Sequence, residues 1–145
     1  MSAAGCVACA GAWPPASNRI IDCGLSTAYL HDDQFFPGWT VLVLNRHATE
    51  LFELEAGERA TLMDEVARVA DALAREFDAV KVNYALLGNQ LPHIHWHVIP
   101  RGADDPAPRE PVWAVAHAPV APAEDAAAKR IATIRARLVP RRTRD

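Results

Sequence analysis

Three histidines alternate with apolar residues over positions 93 to 97, in the sequence HIHWH. Because side chains at every second position of a β-strand lie on the same face, His93, His95 and His97 are predicted to face together. Ile94 and Trp96 lie between them and are predicted to face the opposite way, into a hydrophobic core. The chain is therefore expected to fold around a strand that has one face in the core and carries imidazoles on the other, toward a cleft or the solvent.

Further elements follow from the spacing of apolar residues along the chain. Strands are predicted over Arg19–Asp22, Ser26–His31, Trp39–Leu44 and Val80–Leu87, and helices over Gly57–Phe77 and about Ala123–Leu138. The histidine strand is expected to begin at Pro92 and to end at Pro100. Only a short connection separates it from the preceding strand, so the two should pair antiparallel. The sequence predicts an α+β fold with an antiparallel sheet of about five strands, one long helix and a C-terminal helix.

The length of 145 residues suits a single domain over residues 1–145, with an N-terminal segment, 1–16, and a C-terminal extension from about 102 to 145. No apolar run reaches the length of a membrane span, and the start of the chain lacks the pattern of a secretory signal. We therefore expect a cytoplasmic protein without a membrane partner. The end of the chain is basic from Lys129 onward, but only 23% of all residues are charged and the net charge is −3, which argues against a nucleic-acid partner.

The histidine face is compatible with two kinds of chemistry. Alternate histidines can bind a zinc ion with a further ligand from elsewhere in the chain. Alternatively, a neutral imidazole, whose reference pKa is about 6.5, can attack phosphorus while a neighbouring histidine binds the phosphate or handles the proton of the leaving group. Catalysis at His95 is favoured because this residue is central in the triad. A polar turn that contains Asn89 and Gln90 precedes it, and Asn83 adds a further amide that could bind a phosphate.

The sequence around these histidines resembles a known family. PHIHWHVIPR resembles the histidine-triad (HIT) motif, and PGWTVLVLNRHATELFEL is similar to the strand of that family and the turn into its long helix. NYALLGN is similar to the substrate-binding turn of the family. The resemblance runs from about Cys6 to Arg101. It is strongest to a bacterial branch that shares L-G-N-x-x-P-H-x-H-W-H and is commonly labelled diadenosine tetraphosphate hydrolase.

The resemblance implies a HIT-like fold, a homodimer and a nucleotide hydrolase or transferase. His95 would attack the α-phosphorus of a nucleotide and form a nucleotidyl-histidine intermediate, which water would then hydrolyse. His97 would contact the phosphate and the leaving-group oxygen, and its presence favours a hydrolase, because the uridylyltransferase branch usually has Gln there. Dinucleoside polyphosphates or related nucleotide conjugates are the expected substrates.

Zinc-bearing members of the family use two cysteines and two histidines. By resemblance, the ligands of a structural zinc ion in this chain would be Cys6, Cys9, His47 and His93. This set matches the ligand chemistry of closed zinc sites. Zinc would then use only the first histidine of the triad.

The chain departs from the family pattern at three positions. Trp39 follows Pro37-Gly38 where many members have a phosphate-contacting histidine, and Gln90 stands where Ser is common. The turn before the sheet strand, where family members often have an acid that holds the ribose hydroxyls, is about one residue short here. The acid would be Asp33 or Asp32. These departures leave open an alternative function, a non-catalytic HIT-like module that binds a nucleotide or a partner.

Two further residues have alternative predicted roles. Arg101 follows the histidine strand and is expected to be exposed, unless it reaches a phosphate. Trp113 is expected either to pack against the domain or to stack on a nucleotide base.

Overall fold

A five-stranded antiparallel sheet forms the centre of the computed structural model, which describes residues 3–139. The strands are β1 (Arg19–Asp22), β2 (Ser26–Leu30), β3 (Thr40–Leu44), β4 (Lys81–Leu86) and β5 (His95–Arg101), and the helices are α1 (Ala56–Glu76) and α2 (Glu124–Leu138). The strand order is β1-β2-β3-β5-β4. The predicted α+β fold is confirmed, and none of the helices within residues 3–139 is long and apolar enough to cross a membrane. The last part of the basic end, residues 140–145, lies outside the described residues.

Most predicted boundaries agree with the structure to within a residue or two, but the histidine strand begins later than expected. β5 starts at His95, because the two residues before it make other hydrogen bonds. The backbone N–H of His93 donates to the carbonyl of Leu91 at 2.8 Å, and that of Ile94 donates to the carbonyl of Ala48 at 2.8 Å. His93 therefore lies in a tight turn at the entrance to the strand, next to the segment that follows β3.

The two helices cover one face of the sheet and form the core with it. The apolar stripe of α1 packs against β2, β3 and β5, and the buried residues Ile131 and Ile134 of α2 close the same cluster. Val98 of β5 lies in this cluster, and Trp96 packs against it from a half-buried position. Full burial of each aliphatic side chain contributes about 1.5–3 kcal/mol. The apolar side of the histidine strand thus faces the core, and the imidazoles of His95 and His97 lie on the other side of the sheet.

A buried carboxylate attaches α1 to the turn between β1 and β2. Glu65 is only 3% exposed, although it is charged. Its carboxylate accepts hydrogen bonds from the backbone N–H of Leu25 at 2.8 Å and from the backbone N–H and the hydroxyl of Ser26 at 2.9 and 2.6 Å. These bonds satisfy donors that would otherwise be buried without a partner, so Glu65 fixes the position of the helix along the sheet.

Replacing Glu65 by alanine is expected to destabilise the fold. The change removes the partner of the buried N–H of Ser26 and of the partly buried N–H of Leu25, and a buried group left unsatisfied costs about 1–3 kcal/mol. Glu65→Ala should therefore lower the free energy of unfolding by about 2–5 kcal/mol in chemical denaturation. The control is Asp64→Ala, which removes the neighbouring acid on the exposed side of the helix. Equal denaturant concentrations at the unfolding midpoints of the two variants would contradict this role of Glu65.

Candidate functional site

A cleft of about 650 Å³ opens on the histidine face of the sheet. Four parts of the chain line it: the N-terminal segment, the end of β2, the β4–β5 loop with the start of β5, and the segment near residue 113. The lining residues are Val7, Ala12, Trp13, His31, Leu87, Gly88, Asn89, Gln90, Leu91, His95, His97 and Trp113. None of these described lining residues carries a formal charge when the histidines are neutral. The cleft therefore combines polar imidazole and amide groups with apolar walls.

His95 is held in a defined orientation by the backbone of the turn that precedes its strand. Its Nδ1 lies 2.7 Å from the carbonyl oxygen of His93. A carbonyl oxygen can only accept, so the proton of the neutral ring is on Nδ1 and the lone pair is on Nε2. Burial lowers the pKa of His95, and the neighbouring His93 and His31 act in the same direction. At neutral pH this ring is thus an uncharged imidazole with an available Nε2 lone pair.

His97 is more strongly biased toward the neutral form. Burial lowers its pKa from 6.5 to about 3, with smaller contributions in the same direction from His95 and His31. The indole N–H of Trp39 donates to Nδ1 of His97 at 3.1 Å. Trp39 therefore contacts the triad from the position where the family often has a histidine.

His31 belongs to the cleft although the sequence analysis did not assign it a role. Its ring stacks on Trp39 with centroids 4.2 Å apart and planes 9° from parallel. The backbone N–H of Asp33 donates to Nδ1 of His31 at 3.1 Å, and burial lowers the pKa of the ring. The sequence did contain an indication of the contact between His31 and Trp39. These residues end and begin two consecutive predicted strands, and a hairpin of the two strands brings residues 31 and 39 together.

The polar turn before the triad reaches the cleft, but Asn83 does not. Asn89 and Gln90 are exposed and line the cleft, and Gly88 adopts a φ of 88° that favours glycine. Asn83 lies on β4 opposite Ile99, farther along the sheet. Its side-chain oxygen accepts a hydrogen bond from Arg101 at 2.6 Å. Of the three predicted amide groups, the structure therefore brings two together with the histidines.

The two candidate acids for the ribose are engaged elsewhere. The carboxylate of Asp33 accepts hydrogen bonds from His117 at 2.7 Å and from the backbone N–H groups of Phe35 and Val120 at 2.9 Å each. Burial raises the pKa of Asp33, but these hydrogen bonds outweigh it and lower the pKa overall. Asp32 accepts from Asn18 at 2.7 Å. Neither carboxylate lines the cleft, and Asp33 instead fastens the C-terminal extension to the turn after β2.

The expectation that Arg101 is exposed is wrong. The residue is 2% exposed, and its guanidinium binds the carboxylate of Asp105, the side chain of Asn83 and the carbonyls of Ala107 and Glu110. It also lies over the ring of Phe36, 4.7 Å from the centroid. These contacts satisfy a buried charge, which would otherwise be costly. Arg101 thus fixes the loop that leads to the cleft wall near residue 113.

Two tryptophans from outside the sheet contact the two triad histidines that line the cleft. Trp13, in the N-terminal segment, makes an edge contact with His95 at 5.2 Å between ring centroids. Trp113 makes a similar contact with His97 at 5.1 Å. Trp113 is nevertheless 50% exposed, so part of its ring remains accessible. The sequence offered no local pattern that would have placed Trp13 here.

The four residues of the predicted zinc set lie together beside the cleft. The ligand atoms of Cys6, Cys9, His47 and His93 are all within 4.8 Å of one another. Nδ1 of His93 is 3.4 Å from Sγ of Cys6 and 3.6 Å from Sγ of Cys9, and Nδ1 of His47 is 3.3 Å from Sγ of Cys9. Bond lengths of 2.0–2.3 Å in a tetrahedral site separate sulfur and nitrogen ligands by about 3.5 Å. The cluster therefore has the dimensions needed to hold a metal ion.

The protonation of this cluster also suits metal binding. Nε2 of His93 lies 2.7 Å from the carbonyl of Leu44, so this nitrogen carries the proton and Nδ1 faces the sulfurs with its lone pair. Burial raises the pKa of Cys6, but hydrogen bonds, chiefly one from the Cys9 backbone, outweigh it and lower the pKa from 9.0 to about 6. A thiolate and an imidazole lone pair are thus directed toward the same point.

Comparison with known proteins places this site in a family. The family model for the HIT domain matches residues 15–104, more than half of the chain. A histidine triad protein from Bradyrhizobium japonicum is 34% identical, has a TM-score of 0.76, and the match covers 83% of this chain and 90% of that chain. A zinc-bound histidine triad family protein from Mycobacterium smegmatis is 25% identical, with a TM-score of 0.70 and coverage of 94% and 95%.

One curated relative has a described activity. The asymmetrical bis(5'-nucleosyl)-tetraphosphatase of Schizosaccharomyces pombe is 26% identical in an alignment of 98 positions that covers 64% of this chain. The match covers 54% of that relative, so the chain spans about half of its length. The family match, the sheet topology and the position of the triad agree, and the chain belongs to the histidine triad (HIT) domain family.

Proposed function

We propose that the chain is a nucleotide hydrolase that uses His95 to attack the α-phosphorus of a dinucleoside polyphosphate or a related nucleotide conjugate. The observation that carries the proposal is the hydrogen bond between Nδ1 of His95 and the carbonyl of His93. It keeps the lone pair on Nε2, and burial keeps the ring uncharged. The described activity of the yeast relative is consistent with a polyphosphate substrate.

The reaction would proceed in two steps. In the first, Nε2 of His95 forms a bond to phosphorus, and the bond from phosphorus to the leaving oxygen breaks. The ring then carries a positive charge, which the hydrogen bond from its Nδ1–H to the His93 carbonyl stabilises. In the second step, water attacks the same phosphorus and the bond from phosphorus to Nε2 breaks. The mononucleotide and a proton are released, and His95 returns to its neutral form.

Neutral groups would bind the phosphate oxygens. No lysine or arginine is among the described residues that line the cleft. The available donors are the side chains of Asn89 and Gln90, the nearby backbone and the imidazole of His97. In a site that excludes water, such donors are more effective than they are in bulk solvent. The accessible face of Trp113 would provide a surface for a base.

Replacing His95 by asparagine is expected to reduce turnover of a dinucleoside polyphosphate by at least about a thousandfold, because the nucleophile is lost. Nucleotide binding, followed by calorimetry, should change little. The control is His117→Gln, which alters a histidine outside the cleft and should retain most of the activity. The measurement is the rate of mononucleotide release. Full activity in His95→Asn would refute the mechanism, and stable binding without release by the wild-type chain would favour a non-catalytic nucleotide-binding module.

We further propose that Cys6, Cys9, His47 and His93 bind a structural zinc ion. The distances within the cluster and the zinc-bound relative support this assignment. Four protein ligands leave no open position, so the ion would hold the N-terminal segment against the end of β3 and the start of β5. That segment carries Trp13, which contacts His95. Zinc would thereby stabilise one wall of the cleft.

Removal of one cysteine ligand tests the zinc site. Cys6→Ser is expected to lose the bound zinc, measured by elemental analysis, and to unfold at a lower temperature. Cys23→Ser, which changes a cysteine outside the cluster, should retain about one ion per chain. His97→Ala should also retain zinc. If His97→Ala loses the ion and Cys6→Ser keeps it, the metal would instead be bound by the triad.

The expected homodimer and the cytoplasmic location stay predictions. β4 lies at the edge of the sheet, and Tyr84 on this strand and Val80 just before it are 49% and 69% exposed. An exposed strand edge with apolar side chains is a suitable surface for a second copy of the chain.

A further inference from the structure

The departure from the family pattern at Trp39 places an unusual donor against the triad. The indole N–H of Trp39 donates to Nδ1 of His97 at 3.1 Å, and the two residues are only 4% and 8% exposed. The residue that replaces the usual phosphate-contacting histidine thus contacts a histidine of the triad instead. Indole differs from imidazole in one decisive way, since its nitrogen can donate a hydrogen bond but cannot accept one.

This donor determines where His97 carries its proton. Nδ1 accepts the hydrogen bond from Trp39, so the single proton of the neutral ring must be on Nε2. A second proton on Nδ1 would point at the indole N–H. His97 therefore has one stable state, a neutral ring that can donate from Nε2 on the cleft side.

Packing holds Trp39 in place for this contact. Its ring stacks on His31 and makes an edge contact with Phe36 at 6.5 Å between centroids. Gly38, directly before it, adopts a φ of 89° and lies where a Cβ atom would be 2.5 Å from the ring of Phe77. The backbone before Trp39 thus has little freedom, and the indole N–H has a fixed direction.

The described residues that line the cleft include no side chain that readily donates a proton to a leaving group at neutral pH. The described lining residues include no Asp, Glu, Lys, Arg, Cys or Tyr. The third cleft histidine, His31, also accepts a backbone hydrogen bond at Nδ1. Burial lowers its pKa as well, which favours the neutral ring. A neutral imidazole that gave up its Nε2 proton would become an anion, which is unfavourable in a buried site.

We propose that Trp39 is a positioning residue that fixes His97 as a hydrogen-bond donor to a phosphoryl oxygen, so that the enzyme cleaves phosphoanhydrides and discriminates against phosphoramidates. The proposal rests on the proposed function of His95. When the bond from phosphorus to a phosphate oxygen breaks, the electron pair leaves as a phosphate anion, which is stable at neutral pH without a proton. When the leaving group is an amine, its nitrogen must be protonated as the bond breaks, and no described residue in the cleft supplies that proton.

The first part of the test is nitrogen NMR on the free protein with labelled histidine. In the wild type, Nε2 of His97 should be protonated and Nδ1 should show the signal of an unprotonated, hydrogen-bonded nitrogen. Trp39→Phe keeps an aromatic ring but removes the N–H. In this variant the Nδ1 signal of His97 should shift, because the imidazole then exchanges between its two neutral tautomers. Trp113→Phe is the matched control, because Trp113 also contacts the ring of His97 but makes no hydrogen bond to it. This variant should keep the wild-type nitrogen signals.

The second part compares two substrates with the same nucleotide and different leaving groups. The wild type should cleave diadenosine tetraphosphate at least a hundredfold faster, by kcat, than adenosine 5'-phosphoramidate. Trp39→Phe should lower kcat for the tetraphosphate about tenfold with a smaller change in KM, because the lost interaction acts on a donor used in the transition state. The preference between the two substrates should narrow, because the loss of the fixed donor slows cleavage of the tetraphosphate more than cleavage of the phosphoramidate.

Several outcomes would overturn the proposal. They are a protonated Nδ1 in wild-type His97, unchanged His97 signals in Trp39→Phe, and equal wild-type rates on the two substrates. The wild-type spectrum and substrate ratio remain decisive even if Trp39→Phe fails to fold. If neither substrate is cleaved, the proposed function fails and with it the substrate preference, while the nitrogen signals still decide the state of His97.

Discussion

The hydrogen bond from Nδ1 of His95 to the backbone carbonyl of His93 determines the chemistry that this cleft can perform. It joins two residues that are only two positions apart, so it does not depend on a distant segment of the chain. The carbonyl cannot donate, and the proton therefore remains on Nδ1 and leaves the lone pair on Nε2, the atom that we propose as the nucleophile. The same residue, His93, directs its side chain to the two cysteines and donates from Nε2 to Leu44. One residue thus connects the orientation of the proposed nucleophile with the cluster of cysteines and histidines that could hold a metal ion.

The sheet supplies the reactive groups, and segments outside the sheet enclose them. The N-terminal segment forms one wall and is held through Cys6 and Cys9. The other wall follows the loop after β5, where the buried guanidinium of Arg101 binds four groups of its surroundings. These walls keep water away from His95 and His97, and this burial lowers the pKa values of both rings. The packing that encloses the cleft therefore also keeps its histidines neutral.

The parts of the site that follow local periodicity could be predicted from the sequence. Alternation over residues 93–97 predicts which face carries the imidazoles, and the short β4–β5 connection brings Asn89 and Gln90 to the same cleft. No pattern in the sequence indicated the contacts between distant segments. Asp33 binds His117 from 84 positions along the chain, and the indole of Trp39 reaches His97 across 58 positions. These contacts depend on side-chain rotamers and on the path of the C-terminal extension, which periodicity does not specify.

The most direct test of the account is to identify the covalent intermediate. The protein would be mixed with a small excess of diadenosine tetraphosphate, denatured within milliseconds at alkaline pH, and analysed by mass spectrometry of its peptides. The account predicts an adenylyl group on the peptide that contains His95, attached to Nε2, with a yield that rises in a burst and falls as substrate is consumed. Turnover without any adduct on His95, or an adduct on His97 or His31 instead, would contradict it.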